Sequence, residues 1–255
     1  DLAAFAHPDP RWWRAWPRTF RLRSRYRATA KRAAMILCNS AFTAREVHTF
    51  LGVPGDRTRV THFAANDRIA PSLDQMRAAL HRLGVRQPYV LTVGATERRK
   101  NHAVLLDAMQ RVVAERPDAS LVMAGPHGAL AHHEWLRTLG YVSDADLCAL
   151  YAGATALVMA STYEGFGIPV LEAMQLGAPV ICANAGALPE VAGEAALWFE
   201  PHDEEMLAGQ IVRVLSDTAT RARLTVRGVA RAGEFSWKET ARLTLAAFDD
   251  ARTRG

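Results

Sequence analysis

From Pro88 onward, short apolar runs alternate with amphipathic stretches, and this alternation limits the fold more than any other feature of the chain. Tyr89 to Gly94, Ser120 to Gly125, Leu139 to Val142, Ala156 to Ala160, Pro179 to Ala183 and Ala196 to Phe199 read as buried strands. Between them, Ala103 to Glu115 and Ile168 to Leu176 have helical spacing, and another helix opens at Ser143, with Asp146 three residues on as in a capping box. A short helix follows Leu188, and helical stretches cover Glu204 to Leu215, Thr218 to Gly233 and Trp237 to Arg252. Strand and helix in strict alternation predict an α/β fold with a parallel, doubly wound sheet. No internal repeat is visible.

Residues 1–70 differ. A Pro/Trp/Arg-rich opening leads to a helix around Arg23 to Arg32, a strand at Met35 to Cys38, a helix from Ser40 to Leu51 and a strand at Arg59 to Phe63. One and a half βα units cannot close a core alone, so they must pack on the domain that follows or belong to a domain begun elsewhere. A hinge is expected near Ala70 to Asp74, marked by Pro71, as the boundary between this opening segment and the domain that follows. At 255 residues and 49% hydrophobic, the chain is long and apolar enough for one large domain, or one domain and part of another.

No apolar run approaches the roughly 18 residues needed to cross a bilayer, and the opening residues lack the pattern of a secretory signal. Cys38, Cys148 and Cys182 lie scattered in apolar contexts, which favours buried thiols and a cytoplasmic protein over disulfides or zinc. The net charge of +5 is uneven: residues 1–45 hold ten Lys and Arg against Asp1 and Asp9, whereas residues 46–255 hold 21 against 24. Between Arg11 and Arg32, basic residues are interleaved with Trp12, Trp13, Trp16, Phe20 and Tyr26. Such a segment suits peripheral contact with an anionic lipid surface, or a solvated helix face whose tryptophans pack on a neighbouring domain. Nucleic acid is disfavoured because the basic run stands apart from the sheet-edge pocket.

Two loops carry the chemistry. Ser161 to Pro169 (STYEGFGIP) follows an apolar strand and precedes a helix, where glycines let backbone amides and a helix N-terminus approach an anion. Glu164 on that loop and Glu172 in the helix are expected to place two carboxylates around one pocket, suited to hydroxyls that donate hydrogen bonds. The plainer alternative is a solvated Glu164 and a Glu172 that merely favours the helix dipole. The second loop, Val93 to His102 (VGATERRKNH), ends in three cations at a helix start, suited to a diphosphate or simply to solvent. Neither loop is a Walker A, and no G-x-G-x-x-G follows a strand. His127, His132 and His133 lack the carboxylate spacing of a metal site, so no metal is expected.

Taken together, Val93-Gly94-x-x-Glu97-x-Arg99-Lys100-Asn101, Leu139-Gly140-Tyr141-Val142-Ser143-Asp144, Glu164-Gly165-Phe166-Gly167-Ile168-Pro169-x-x-Glu172-Ala173 and Gly177-x-Pro179-Val180 closely resemble retaining glycosyltransferases of family 4, in their mannosyltransferase-like branch. Leu188-Pro189-Glu190-Val191-x-Gly193, Phe235-Ser236-Trp237 and, more weakly, Asn39-Ser40-x-Phe42-Thr43 extend the resemblance over nearly the whole chain. It implies a GT-B architecture: two Rossmann-like domains across a cleft, with 72–235 the donor domain, 1–71 the remnant of an acceptor domain and 236–255 a helix crossing back toward it. It implies that Arg99 and Lys100 hold the diphosphate beside Gly94, that Glu164 binds the transferred sugar, and that Glu172 binds the ribose. Gly165 and the amides of Phe166, Gly167 and Ile168 would face the phosphates, and Tyr141 and Val142 the base edge. The implied donor is a nucleotide sugar, GDP-mannose favoured, and the acceptor a saccharide or lipid-linked sugar, with no cofactor. Asp1-Leu2-Ala3 looks like the continuation of the family's His-Asp-Leu segment, so most of the acceptor domain is expected to lie outside this chain. Only about a dozen residues separate Gly125 from Leu139, fewer than the family usually has, which shortens the expected base-side wall. The alternative is a donor-domain fragment that binds nucleotide sugar without turnover.

Overall fold

The computed structural model describes Leu2, Phe5 and residues 12–128 and 132–253, with backbone alone for 12–19. The side chains of Trp12, Trp13 and Trp16, which carried part of the lipid-surface reading, lie outside the described residues.

Six strands form one parallel sheet: β3 (Tyr89–Val93), β4 (Ser120–Ala124), β5 (Leu136–Gly140), β6 (Ala156–Met159), β7 (Val180–Ala183) and β8 (Ala196–Phe199), in the order β5-β4-β3-β6-β7-β8. The order reverses between β3 and β6, so the loops leaving these two strands open a crevice at the carboxyl edge, where α/β sheets bind ligands. Buried strand residues are apolar on both faces because helices cover both. On one side, α3 (Leu73–Leu83), α5 (Asp144–Gly153), α6 (Ile168–Gln175) and α7 (Leu188–Ala192) bury Leu80, Leu91, Leu157, Tyr151 and Leu171. On the other, α4 (His102–Glu115) and α8 (Glu204–Ser216) bury Leu105, Met109, Val158, Ile181 and Ile211. Each such side chain contributes about 1.5–3 kcal/mol when fully buried.

A second, two-stranded parallel sheet pairs β1 (Ile36–Cys38) with β2 (Thr58–Val60), flanked by α1 (Trp12–Arg32) and α2 (Ala41–Leu51). Its small core holds Leu2, Ala30, Cys38, Val47 and Val53. After α9 (Thr218–Gly233), α10 (Trp237–Thr253) returns to this unit: Trp237 Nε1 donates to the Ala65 carbonyl at 3.0 Å, Thr240 Oγ1 to the His62 carbonyl, and Arg59 pairs with Asp250 at 2.9 Å. Among the described residues no helix is long and apolar enough to cross a membrane.

Four readings are corrected. The strand expected at Leu139 to Val142 is β5, Leu136–Gly140; it is the sheet edge, which tolerates Arg137 and Thr138, and Tyr141 and Val142 lie in the loop beyond it. The first helix begins at Trp12 rather than Arg23, since a run rich in arginine and alanine favours helix. β2 stops at Val60, and the apolar residues after it pack Phe63 against Phe166 and Trp237 instead of a neighbouring strand. The expected hinge at Ala70 to Asp74 runs into α3, which starts at Leu73 under a complete capping box of Ser72 and Gln75.

Candidate functional site

The loop after β3 makes a tight 3₁₀ turn over Arg98–Lys100 and then a left-handed residue, Asn101, φ 55°, before α4. Asparagine is among the few residues that adopt this conformation readily. Here its side-chain amide also donates to the Pro201 carbonyl at 2.5 Å, pinning the turn. Its effect is to point Arg99 and Lys100 across the crevice, while Arg98, the first of the three cations, is exposed.

The loop after β6 meets them. Thr162 donates from its amide to the Arg99 carbonyl at 2.8 Å, which stitches the loops together. Glu164 then accepts from Lys100 Nζ at 2.6 Å on Oε1 and from Arg99 at 3.1 Å on Oε2, and is buried, so the solvated alternative is excluded. Arg99 also reaches Glu97 at 2.8 Å. The Glu164 backbone is fixed from behind: the Ala187 amide donates to its carbonyl at 2.9 Å, and a Cβ on Gly186 would stand 2.6 Å from that oxygen. Only glycine fits there, and its φ of +62° adds a second reason. Gly94 leaves space beside Lys100: its φ is 127°, and a Cβ there would stand 3.5 Å from the Lys100 ammonium end.

Past Glu164, the Gly165 carbonyl accepts from Ser40 Oγ at 2.8 Å and Thr43 Oγ1 at 3.2 Å. Phe166 is buried against Phe63, His62 and Phe235. Gly167 is left-handed, φ 114°, and opens α6 with Pro169 in its first turn and no side-chain cap. Pro169 has no N–H and the Val170 amide donates to the Gly167 carbonyl at 3.0 Å, so the amide at this helix start suited to an anion is that of Ile168.

Glu172, four residues into α6 past Ile168, does not share the Glu164 network. Its Oε1 accepts from Asn66 at 2.7 Å and Arg68 at 2.8 Å, and its Oε2 from the Tyr151 hydroxyl at 3.1 Å. The two carboxylates expected around one pocket thus carry separate sets of partners. Arg68 also pairs with Asp144 at 3.2 Å, beside a cavity of about 620 Å³ lined by Asn66, Pro71, Arg82, Asp144 and Cys148. Burial works against the charge on Arg68, but Glu172 outweighs it and the guanidinium is held ionised. Burial and Glu172 together push the Tyr151 hydroxyl well above its usual pKa, so it stays a donor. Tyr141 is exposed and Val142 half-buried, at the same edge. Residues 129–131 of the shortened loop lie outside the described residues, and His133 stacks on Trp135, ring centroids 4.5 Å apart.

Sequence reasoning missed Asn66, Arg68 and Tyr151. A different signal marks the region: among the described residues four buried side-chain atoms have no partner, Asn39 Oδ1, Arg68 Nε, His102 Nδ1 and Ser161 Oγ. Such atoms are rare in native folds. Here each belongs to, or adjoins, a segment of this site.

Residues 79–230 match the family model described as Glycosyl transferases group 1. The chain belongs to that family. Curated relatives include O-antigen chain mannosyltransferase B of Escherichia coli, 37% identical over 230 residues, covering 85% of this chain and 60% of the relative. Another is the MMP alpha-(1->4)-mannosyltransferase of Mycolicibacterium hassiacum, 30% identical over 263 residues, covering 96% of this chain and 61% of the relative. The group 1 chain therefore spans about three fifths of the length of these relatives. Among solved structures, Anabaena Alr3699/HepE in complex with UDP and glucose superposes with a TM-score of 0.79 at 20% identity, covering 89% of this chain and 66% of that one. Sucrose-phosphate synthase from Thermosynechococcus elongatus does so at 0.74 and 23%, covering 90% and 61%. The fold is of GT-B type, as the motifs of this group 1 chain implied.

Proposed function

We propose that this chain provides the nucleotide-sugar site of a retaining glycosyltransferase that moves a hexose, mannose favoured, from GDP-mannose to a saccharide or lipid-linked acceptor in polysaccharide or glycolipid assembly. The observation that carries this is the buried contact of Glu164 with both Arg99 and Lys100 beside the uncapped start of α6. A diphosphate is the ligand that competes for both cations and accepts from the amides of Phe166, Gly167 and Ile168. Once it does, Glu164 is released to accept from sugar hydroxyls. Mannosyltransferase relatives support the hexose, and the neighbour holding UDP and glucose supports a nucleotide-sugar site.

In this reading the bond from the anomeric carbon to the diphosphate oxygen breaks as the acceptor oxygen bonds to the same face, and the acceptor proton passes to the departing phosphate. Arg99 and Lys100 stabilise the charge that grows on the leaving group, and the loops position the sugar. The same two cations supply the positive charge a metal otherwise would, so transfer is expected to withstand a chelator. Tyr141 and Val142 border the base. We place the protein in the cytoplasm, with α1, exposing Phe20 and Tyr26 among its arginines, against an anionic leaflet. Failure to sediment with anionic vesicles at low salt would remove that last point.

The test is calorimetric titration with GDP, UDP, ADP and GDP-mannose, followed by transfer assays. Binding of GDP and GDP-mannose, with Lys100→Ala lowering transfer by about 100-fold or more, is the expected result. Unchanged transfer in Lys100→Ala and Glu172→Ala would overturn it. Binding without transfer would favour the alternative, a unit that binds nucleotide sugar without turnover.

A further inference from the structure

Oε1 of Glu172 has two lone-pair positions, and the linker between the two units takes both, through Asn66 at 2.7 Å and Arg68 at 2.8 Å. Tyr151 takes one of the two on Oε2, at 3.1 Å. One acceptor position remains, whereas a ribose diol bound through both hydroxyls needs two. Arg68 and Glu172 side chains are 9% and 5% exposed, so the pair lies away from water and is not loosened by screening. Arg68 is anchored a second time on Asp144, yet its Nε is buried without a partner. Room for the guanidinium to move exists in the adjoining cavity, which Asn66, Arg68 and Asp144 all line.

We propose that Asn66 and Arg68 set donor affinity by occupying the ribose-binding carboxylate, so that the nucleotide's diol binds by exchange with the linker rather than by addition. The inference rests on the assignment of Glu172 to the ribose. With one position free, a diol bound through both hydroxyls displaces one of the linker's hydrogen bonds, which offsets one of the two bonds it makes, so the wild-type chain draws little net affinity from the 2′- and 3′-hydroxyls. It also ties donor occupancy to release of residues 66–68, the segment that joins the two units.

Calorimetric titration of the chain with GDP and with 2′,3′-dideoxy-GDP reads this directly. The wild type should bind the two within about twofold of each other. Asn66→Ala should widen the gap, and the Asn66→Ala/Arg68→Ala double variant should favour GDP by about tenfold or more, with GDP itself bound more tightly than by the wild type. Asn66→Ala leaves the Arg68 ion pair in place and keeps the test valid should the double variant not fold. A large gap already present in the wild type and unchanged in Asn66→Ala would overturn the proposal, as would weaker GDP binding by the variants at an unaltered ratio. Glu172→Gln added to Asn66→Ala checks the assignment beneath it. If Asn66→Ala widens the gap but adding Glu172→Gln leaves that widened gap and the GDP affinity unchanged, the ribose assignment fails; if Glu172→Gln alone weakens GDP binding while Asn66→Ala changes nothing, the exchange fails.

Discussion

His102 follows the left-handed Asn101 and is buried, its Nδ1 unpartnered. Burial, and then the charge on Lys100, push its pKa down from 6.5 to about 4. The folded state therefore holds it neutral, while the unfolded chain takes up a proton near its ordinary value. The resulting stability is complete above about pH 6.5 and is lost as pH falls toward about 4. Urea unfolding of the wild type and of His102→Leu at pH 7, 5.5 and 4.5 should show the wild type losing stability relative to the variant as pH falls through that window. That Arg99, Lys100 and Glu164 meet was legible in the sequence because each lies in a strand–loop–helix context that itself points at the sheet edge. Arg68, Asn66 and Tyr151 were not legible. Their role is a contact between residues far apart in the chain, and Tyr151 looks like any apolar helix residue until its hydroxyl is placed on Glu172.

At the level of elements, the buried strands were legible because helices on both faces demand unbroken apolar runs. The edge strand β5 was not, since one of its sides needs no such run. α3 was overlooked although its start is written in the sequence: Ser72 accepts from the Gln75 amide at 3.2 Å and Gln75 returns the bond to the Ser72 amide at 2.8 Å. Ser72→Ala removes the acceptor of the Gln75 amide, leaves the backbone amide at position 72 to Gln75, and is expected to lower stability by about 1 kcal/mol, measured by chemical denaturation. The change should leave nucleotide binding alone, because Met76, Ala79 and Leu80 keep α3 seated on the core. α1 was read too short for the opposite reason: a proline-containing basic segment lacks apolar periodicity, and its propensity for helix is carried by arginine and alanine.

Across the whole molecule, the small unit is held to the large one by polar contacts aimed at the site's own loop. Glu190, on α7, accepts from the α2 amides of Ala41 at 2.7 Å and Phe42 at 3.0 Å, and meets His62 at 2.7 Å. Burial raises its pKa, but these amides and His62 more than compensate and hold the carboxyl below the usual range. Glu190→Ala should cost about 2 kcal/mol of stability and expose the β1–α2–β2 segment to protease before the six-stranded unit. Tyr163 joins the same seam, donating to Glu46 on α2 and accepting from the Leu2 amide at 3.0 Å. The chain passes between the units twice, once along residues 61–72 and once where α10 returns to Arg59, His62 and Ala65. The seam also reaches the site itself: Gly165, between Glu164 and Phe166, is held by the hydroxyls of Ser40 and Thr43 from the small unit, so a break in the seam would be felt first at the loop that carries Glu164.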